Sequence, residues 1–399
     1  METNALPLEG IRVLDLSRVL AGPYCTMLLS MMGAEVIKIE DRAGDESRTW
    51  PPLRGALSGA FLGLNLNKKG IVADLKTAGG VKLVKDLVAQ SDVLVENFKT
   101  GAMEKFGLDY ETLAAINPRL VYTSISAFGR SGAKAADPGY EALVQAYSGV
   151  MSMTGFPEGD PARCGVSFLD MSTGVSSALA TVSVLFRRER TGRGGKVEAS
   201  LLQTALGLMS HQVSNLFQHG VVPGRIGTAH PSVVPYQSFR ASDGDIFIAA
   251  ANQNLWERMC RALGREDLLA DPRFADNPSR VEHREPLLAL LSEIFARMTK
   301  AELLGPLHAA GVPCAPVNDL DQVMADGQAE AIGAIARLED PEEGELRLVN
   351  LPFFLDGQRG QVRQRAPRLG EHTRELLAGM GYPEAEIAAL LDSGDVQGE

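Results

Sequence analysis

One carboxylate is placed where it could do chemistry. Asp170 lies between a short apolar run that starts at Gly165 and a long uncharged segment, Met171 to Phe186. That segment is rich in Ser, Ala, Thr, Val and Leu and reads as a buried helix, with Asp170 at its N-cap and small residues in its first turn. An Asp in that position meets free backbone N–H groups and the positive end of the helix dipole. Such surroundings keep it ionised, and they also favour negative charge developing on a substrate oxygen. A plain helix cap explains the same residue, so both readings stand at this point. A second concentration of polar groups falls at 227–237, where Gly227, Thr228, His230, Ser232 and Gln237 sit in a stretch without helix or strand pattern. A loop histidine serves packing or solvent as readily as a ligand. His211, His219, His283, His308 and His372 have no carboxylate or nucleophile at a telling spacing and receive no role.

The chain that must position these groups is 399 residues long, 45% apolar and 22% charged, which is ordinary globular composition divided over more than one core. Its formal net charge of -11 argues against nucleic acid or an anionic membrane as partner, since either calls for a basic stripe. Anionic small molecules remain open, because a local cluster of Lys and Arg overrides the global sign. Cys25, Cys164, Cys260 and Cys314 are scattered without metal-ligand spacing. That pattern predicts neither a disulfide framework nor a metal site and fits a reducing cytoplasm. Cys25 and Cys314 have the apolar neighbours of inert thiols. Residues 1–7 carry no basic and no apolar region of a signal peptide. The uncharged run 171–186 is shorter than the roughly 20 residues of a membrane span, which predicts a core helix instead.

Periodicity predicts an α/β fold. Residues 11–16 read as a strand, Ala21-Gly22-Pro23 turns the chain into a helix running to about Met32, and 34–39 is the next strand. This βαβ unit implies a parallel sheet, although its turn lacks the GxGxxG of a dinucleotide site. The pattern recurs with helices at 78–90 and 109–116 leading into strands at 91–96 and 120–125. Their near-continuous apolar runs suit a sheet covered on both faces. Asn97-Phe98 and Ser126 to Phe128 follow strand ends, where open α/β sheets bind ligands. A strand at 194–199 and a helix from Leu201 to Gln218 complete a first region, 1–218. The Pro- and Gly-rich stretch 220–235 reads as a crossing segment. Short strands and amphipathic helices at 254–263, 284–298 and 300–309 suggest a smaller α+β domain within 219–330. The segment 331–399 regains helical periodicity from Arg363, with Pro367 to Thr373 as its cap.

Several stretches together resemble the class III CoA-transferases, the family of formyl-CoA transferase and carnitine CoA-transferase. They are Pro7 to Leu16 with Ala21-Gly22-Pro23, Gly33 to Glu40, Asn65 to Lys69, Val95 to Phe98, Gly165 to Asp170, Thr191 to Gly194, Gly311 to Pro313 and Leu369 to Thr373. They run in order over essentially the whole chain. Within the family, Gly227 to Gln237 most resembles the succinyl-CoA:dicarboxylate branch, such as succinate–hydroxymethylglutarate CoA-transferase. The resemblance implies a large Rossmann-like parallel-sheet domain built from both chain ends, a small domain, and an interlocked homodimer. It implies CoA or acyl-CoA as substrate, small carboxylic acids as partners and no permanently bound cofactor or metal.

Carried onto this sequence, the resemblance makes Asp170 the nucleophile, which attacks an acyl-CoA thioester and passes through anhydride and aspartyl-CoA intermediates. It places Val19 and Leu20 beside the pantetheine arm of CoA. Arg42, Ala73, Asn97, Phe98, Lys105 and Tyr140 then surround the nucleotide or thioester end, with Arg42 and Lys105 as phosphate partners. Solvated surface charges explain Arg42 and Lys105 equally well. The formyl-CoA enzyme has Arg where this chain has Asp41 and Lys105, and Gln where it has Leu20. The Leu20 difference speaks against formyl or oxalyl specificity. The loop 227–237 is expected to close over Asp170, with His230 paired to the far carboxylate of a dicarboxylic acid. The α-methylacyl-CoA racemases of the same fold use a base His where this chain has Tyr140, so that chemistry lacks its base here. Glutarate, hydroxymethylglutarate, itaconate, mesaconate and malate all suit a succinyl-type site.

Overall fold

A computed structural model describes residues 6–55, 57–357 and 359–398. Residues 1–5, which carry most of the leader expectation, lie outside the described residues. The chain divides into two compact units, one comprising Met1–Val150, Cys164–Gly220 and Ala329–Glu399, the other Met151–Arg163 and Val221–Gln328. The second unit thus takes in 151–163, which the sequence reading left with the first.

The first unit is built on a seven-stranded sheet. Its elements begin β1 (Arg12–Asp15), α1 (Ala21–Met31), β2 (Glu35–Glu40), β3 (Lys68–Ala73), α2 (Ala78–Ala89) and β4 (Val93–Glu96). They continue α3 (Ala102–Phe106), α4 (Tyr110–Ile116), β5 (Val121–Ser126), α5 (Glu141–Ser148), α6 (Phe168–Thr191), β6 (Gly195–Ser200), α7 (Leu201–Leu208) and α8 (Ser210–His219). From the far end of the chain come α9 (Thr373–Gly379), α10 (Glu384–Ser393) and β7 (Val396–Gln397). The strand order is β7-β3-β2-β1-β4-β5-β6, all parallel except β7, which runs antiparallel to β3. Leu14, Ile37, Ile71 and Leu94 are fully buried in the sheet core, as strands covered on both faces require. Strand order reverses between β1 and β4, so the loops after these two strands diverge and open a crevice.

Several boundaries differ from the sequence reading. The strand β3 opens on Lys68-Lys69-Gly70 and looks like a polar loop, yet Lys68 is fully buried against Asp15. The expected helix 201–218 is two helices, α7 and α8. From Arg363 the tail is irregular and turns at 369–372, so its helix begins only after His372, the N-cap of α9. A hairpin of Ile335–Asp340 and Gly344–Val349 also escaped notice.

The helix α6 is the larger correction. It is not buried all round: one face packs on α1, β5 and β6, while Val175, Leu179 and Phe186 stand exposed on the other. By length and composition alone it could cross a membrane. Gly174 sets its approach to α1, because an added Cβ there would lie 2.8 Å from the Ala21 carbonyl oxygen.

The second unit pairs Tyr236–Ala241 with Gly244–Ala249 and adds Cys314–Pro316 as a third strand. Helices at Gln253–Ala262, Arg284–Phe295 and Lys300–Ala309 cover a core that includes Trp256, Phe274 and Phe295.

Candidate active site

The crevice at the strand-order reversal holds a cavity of about 500 Å³. The loop after β1 supplies Arg18, Val19 and Leu20, and the loop after β4 supplies Asn97 and Phe98. Five helices reach it through their first turns among the described residues: α1 with Ala21, α3 with Ala102, α5 with Glu141, α6 with Asp170 and α7 with Leu201. Helix starts carry partial positive charge and leave N–H groups without intrahelical acceptors, so a carboxylate or developing oxyanion is favoured there.

Asp170 is not the N-cap. Ser167 holds that position, and Asp170 is the third residue of α6, inside its first turn. The dipole argument survives the shift, since the effect extends over the first turn. The side chain is buried, at 8% exposure, and still borders the cavity.

The loop after β1 is tightly fixed. Asp15 accepts from the backbone N–H and hydroxyl of Ser17 and from the Thr26 hydroxyl. Asn97 clasps Arg18: its Oδ1 accepts from the Arg18 N–H at 2.9 Å, and its Nδ2 donates to the Arg18 carbonyl at 2.8 Å. Both ends of this amide thus hold protein backbone, a use the sequence reading did not foresee for a CoA-contacting residue. The Arg18 guanidinium lies 5.0 Å from the centroid of the Phe98 ring, which packs edge-on against Phe106. Below the loop after β4, Arg130 donates to Glu96, Ser124 and the Phe98 carbonyl. Burial raises the Glu96 carboxyl above its ordinary range despite Arg130 beside it.

Tyr140 borders the cavity, is 63% exposed, and donates its hydroxyl to Glu46 at 3.3 Å. The Glu46 charge raises the Tyr140 phenol. No histidine lines the cavity among the described residues.

A smaller cavity of about 80 Å³ shares Arg18, Phe98 and Phe106 with the first and adds Ala73 and Lys76. Val19, Leu20, Asn97, Phe98, Tyr140 and Asp170 therefore gather at one cavity and Ala73 at its neighbour. Arg42 and Lys105 line neither. Arg42 donates to the Gly394 carbonyl and faces Asp74 at 3.7 Å, so its charge is drawn to the β7 side, and Lys105 is an exposed residue of α3. Arg18, Lys99 and Arg130 at the large cavity and Lys76 at the smaller one are cations that the sequence reading missed. Each is a lone basic residue outside any periodic pattern.

Gly227, Thr228, His230, Ser232 and Gln237 belong to the second unit. Gln237 lies in the strand Tyr236–Ala241, opposite Ile248, so the stretch is not loop throughout. Gly227 has φ 62°, the left-handed region that glycine tolerates. Thr228 and Ser238 share a hydroxyl hydrogen bond at 2.7 Å. Nδ1 of His230 accepts from the Ser232 N–H at 3.1 Å, and its ring packs edge-on against Tyr236.

The comparison with known families decides what this architecture is. The model of CoA-transferase family III matches residues 8–373. The chain belongs to CoA-transferase family III. This CoA-transferase is 37% identical to the human succinyl-CoA:glutarate CoA-transferase, over 98% of this chain and 90% of that protein. It is likewise 37% identical to the succinate–glutarate CoA-transferase of Agrobacterium fabrum, over 95% and 96% of the two chains. In structure, this CoA-transferase is similar to a CaiB/BaiF family protein from Brucella suis, with a TM-score of 0.85 and 38% identity. That match covers 94% of this chain and all of the other.

Proposed function

We propose that this class III CoA-transferase moves CoA from succinyl-CoA to a short dicarboxylic acid such as glutarate, with Asp170 as nucleophile. The observation that carries this reading is the Asp170 carboxylate, placed inside the first turn of α6 and bordering the large cavity. The relatives named for succinyl-CoA and glutarate support the choice of acids.

The reaction follows from the carboxylate. An Asp170 oxygen attacks the thioester carbonyl of succinyl-CoA, the C–S bond breaks, and a succinyl–aspartyl anhydride and CoA thiolate form. The thiolate then attacks the aspartyl carbonyl, which expels succinate and leaves an aspartyl-CoA thioester. The acceptor carboxylate repeats the sequence in reverse: it displaces thiolate to form a second anhydride, and thiolate attack on the acceptor carbonyl releases the new acyl-CoA and free Asp170. One thioester replaces another and no net proton moves, so covalent catalysis divides a difficult exchange into near-isoenergetic steps. Each addition puts negative charge on an oxygen beside the α1, α6 and α7 helix starts, which favour it.

CoA is held in the same reading by Val19, Leu20, Phe98 and Tyr140 along the large cavity, with Ala73 in the smaller one. Arg18 and Lys76 supply positive charge nearer the crevice than Arg42 or Lys105. The acceptor's far carboxylate is assigned to the segment with Gly227, Thr228, His230, Ser232 and Gln237. The active form is an interlocked homodimer in a reducing cytoplasm. The uncovered apolar residues of α6 and α8, among them Leu179 and Phe217, support a second copy, and the free cysteines suit the compartment.

The test is direct. Purified protein is mixed with succinyl-CoA and a panel of carboxylates, and new acyl-CoA species are followed by mass. Glutaryl-CoA, or the CoA ester of a similar dicarboxylate, is the expected product. Exchange only with monocarboxylates or oxalate contradicts the acceptor assignment, and exchange only from another acyl-CoA contradicts the donor.

A further inference from the structure

The turn that walls the large cavity holds a residue in an unfavourable conformation. Val19 has φ 70°, in the left-handed region. A β-branched side chain rarely adopts it, because Cβ crowds the backbone. Such a residue persists only when its surroundings over-determine it.

Here the determining groups are visible. Both carboxylate oxygens of Asp45 accept from the Val19 N–H, at 3.2 and 3.1 Å. Asp45 is itself held rigidly: it accepts from the Ser47 N–H and hydroxyl and from Nζ of Lys38 at 3.0 Å. The same ammonium donates to the Ser17 carbonyl at 3.0 Å, two residues before Val19. The side chains of Lys38 and Asp45 are fully buried. A buried charge pair of this kind adds little net stability, and its better attested use is to fix one arrangement.

We infer that Asp45, backed by Lys38, is a positioning residue for CoA transfer: it clamps Val19 in the left-handed conformation and so sets the Val19–Leu20 wall and the start of α1 against Asp170. Two observations meet in this assignment. The residues on either side of the strained φ line the cavity together with Asp170. The helix that the turn launches packs on α6 at the Ala21–Gly174 approach. A relaxed turn at Val19 would redirect both. The inference rests on the proposed use of this cavity for transfer through Asp170.

The experiment is a double-mutant cycle on the turnover number, with Asp45→Asn, Val19→Gly and the two combined. Asp45→Asn alone is expected to reduce turnover by about ten- to a hundredfold, the range for small misplacements of reacting groups. Glycine adopts the left-handed turn without enforcement. In the Val19→Gly background, Asp45→Asn therefore costs several-fold less, a partial rescue that a merely structural loss would not give. If Asp45→Asn leaves Lys38 unpaired and does not fold, the cycle is run with Lys38→Met added to every Asp45→Asn variant. Multiplicative effects, or an unaffected Asp45→Asn enzyme, overturn the clamp. Asp170→Ala is measured alongside: activity there overturns the reading of the cavity itself, whereas an inactive Asp170→Ala with multiplicative cycle effects overturns the clamp alone.

Discussion

The Nζ of Lys68 donates to Oδ2 of Asp15 at 2.8 Å, and both side chains are fully buried at the C-terminal end of β1. Burial disfavours the Asp15 carboxylate, but the Lys68 and Lys38 charges and the hydrogen bonds it accepts outweigh that cost and bring its pKa to about 2 from 3.8. A folded-state pKa below the unfolded one stabilises the fold above the unfolded pKa, and the contribution is lost as pH falls through the folded value. The ionised Asp15 carboxylate is thus expected to contribute stability near neutrality that declines between about pH 4 and pH 2. Urea unfolding of wild type and Asp15→Asn across that range checks it. The stability gap between the two should narrow as pH falls, and a constant gap would show that the ionised carboxylate is not what matters.

Gly174→Ala tests whether the α1–α6 approach sets the site. The added methyl would meet the Ala21 carbonyl oxygen at 2.8 Å and the Cys25 nitrogen at 3.2 Å, both backbone atoms that cannot turn aside. Overpacking of this kind costs about 1–3 kcal/mol, and both helices border the cavity, so turnover should fall together with the melting temperature. Unchanged stability and activity would mean that the helices separate without consequence.

Asn97→Ala removes both hydrogen bonds to the Arg18 backbone. The expected loss is roughly 1–2 kcal/mol of stability, together with a raised KM for the acyl-CoA as Arg18 and Phe98 loosen. A KM increase confined to the acceptor acid would place Asn97 elsewhere in the reaction.

The parallel sheet was legible because β1, α1 and β2 form a strand–helix–strand unit, and because β4 and β5 fall in the near-continuous apolar runs that a sheet buried on both faces demands. Lys68 hid β3, because a lysine at a strand start reads as solvent-facing unless its buried partner is known. Asp170 was legible as the start of a helix, and the three-residue error came from reading an acidic first-turn residue as the cap. The exposed Val175, Leu179 and Phe186 were not legible at all, since composition alone does not tell an apolar face covered within one chain from one left open. Arg18 was missed for a different reason: its place depends on Asn97, 79 positions away in sequence.

His230 provides the test of the acceptor segment. Its Nδ1 is engaged by the Ser232 N–H, which leaves Nε2 as the ring atom to meet an acid. His230→Ala should raise the KM of the dicarboxylate by about tenfold, the value of one charge-assisted hydrogen bond, with little change for the acyl-CoA. An unchanged acceptor KM removes His230 from the assignment.

The central claim is that Asp170 enters the covalent sequence, and heavy oxygen measures this most directly. In the proposed sequence, the acceptor carboxylate supplies the bridging oxygen of the second anhydride, and thiolate attack on the acceptor carbonyl leaves that oxygen on Asp170. Turnover with an ¹⁸O-labelled dicarboxylate, followed by mass analysis of the peptide containing Asp170, should find the mass increase of heavy oxygen on that side chain and on no other carboxylate. The Asp170→Ala enzyme should form no new acyl-CoA. Product formation by the wild type with an unlabelled Asp170, or by Asp170→Ala, would contradict the account.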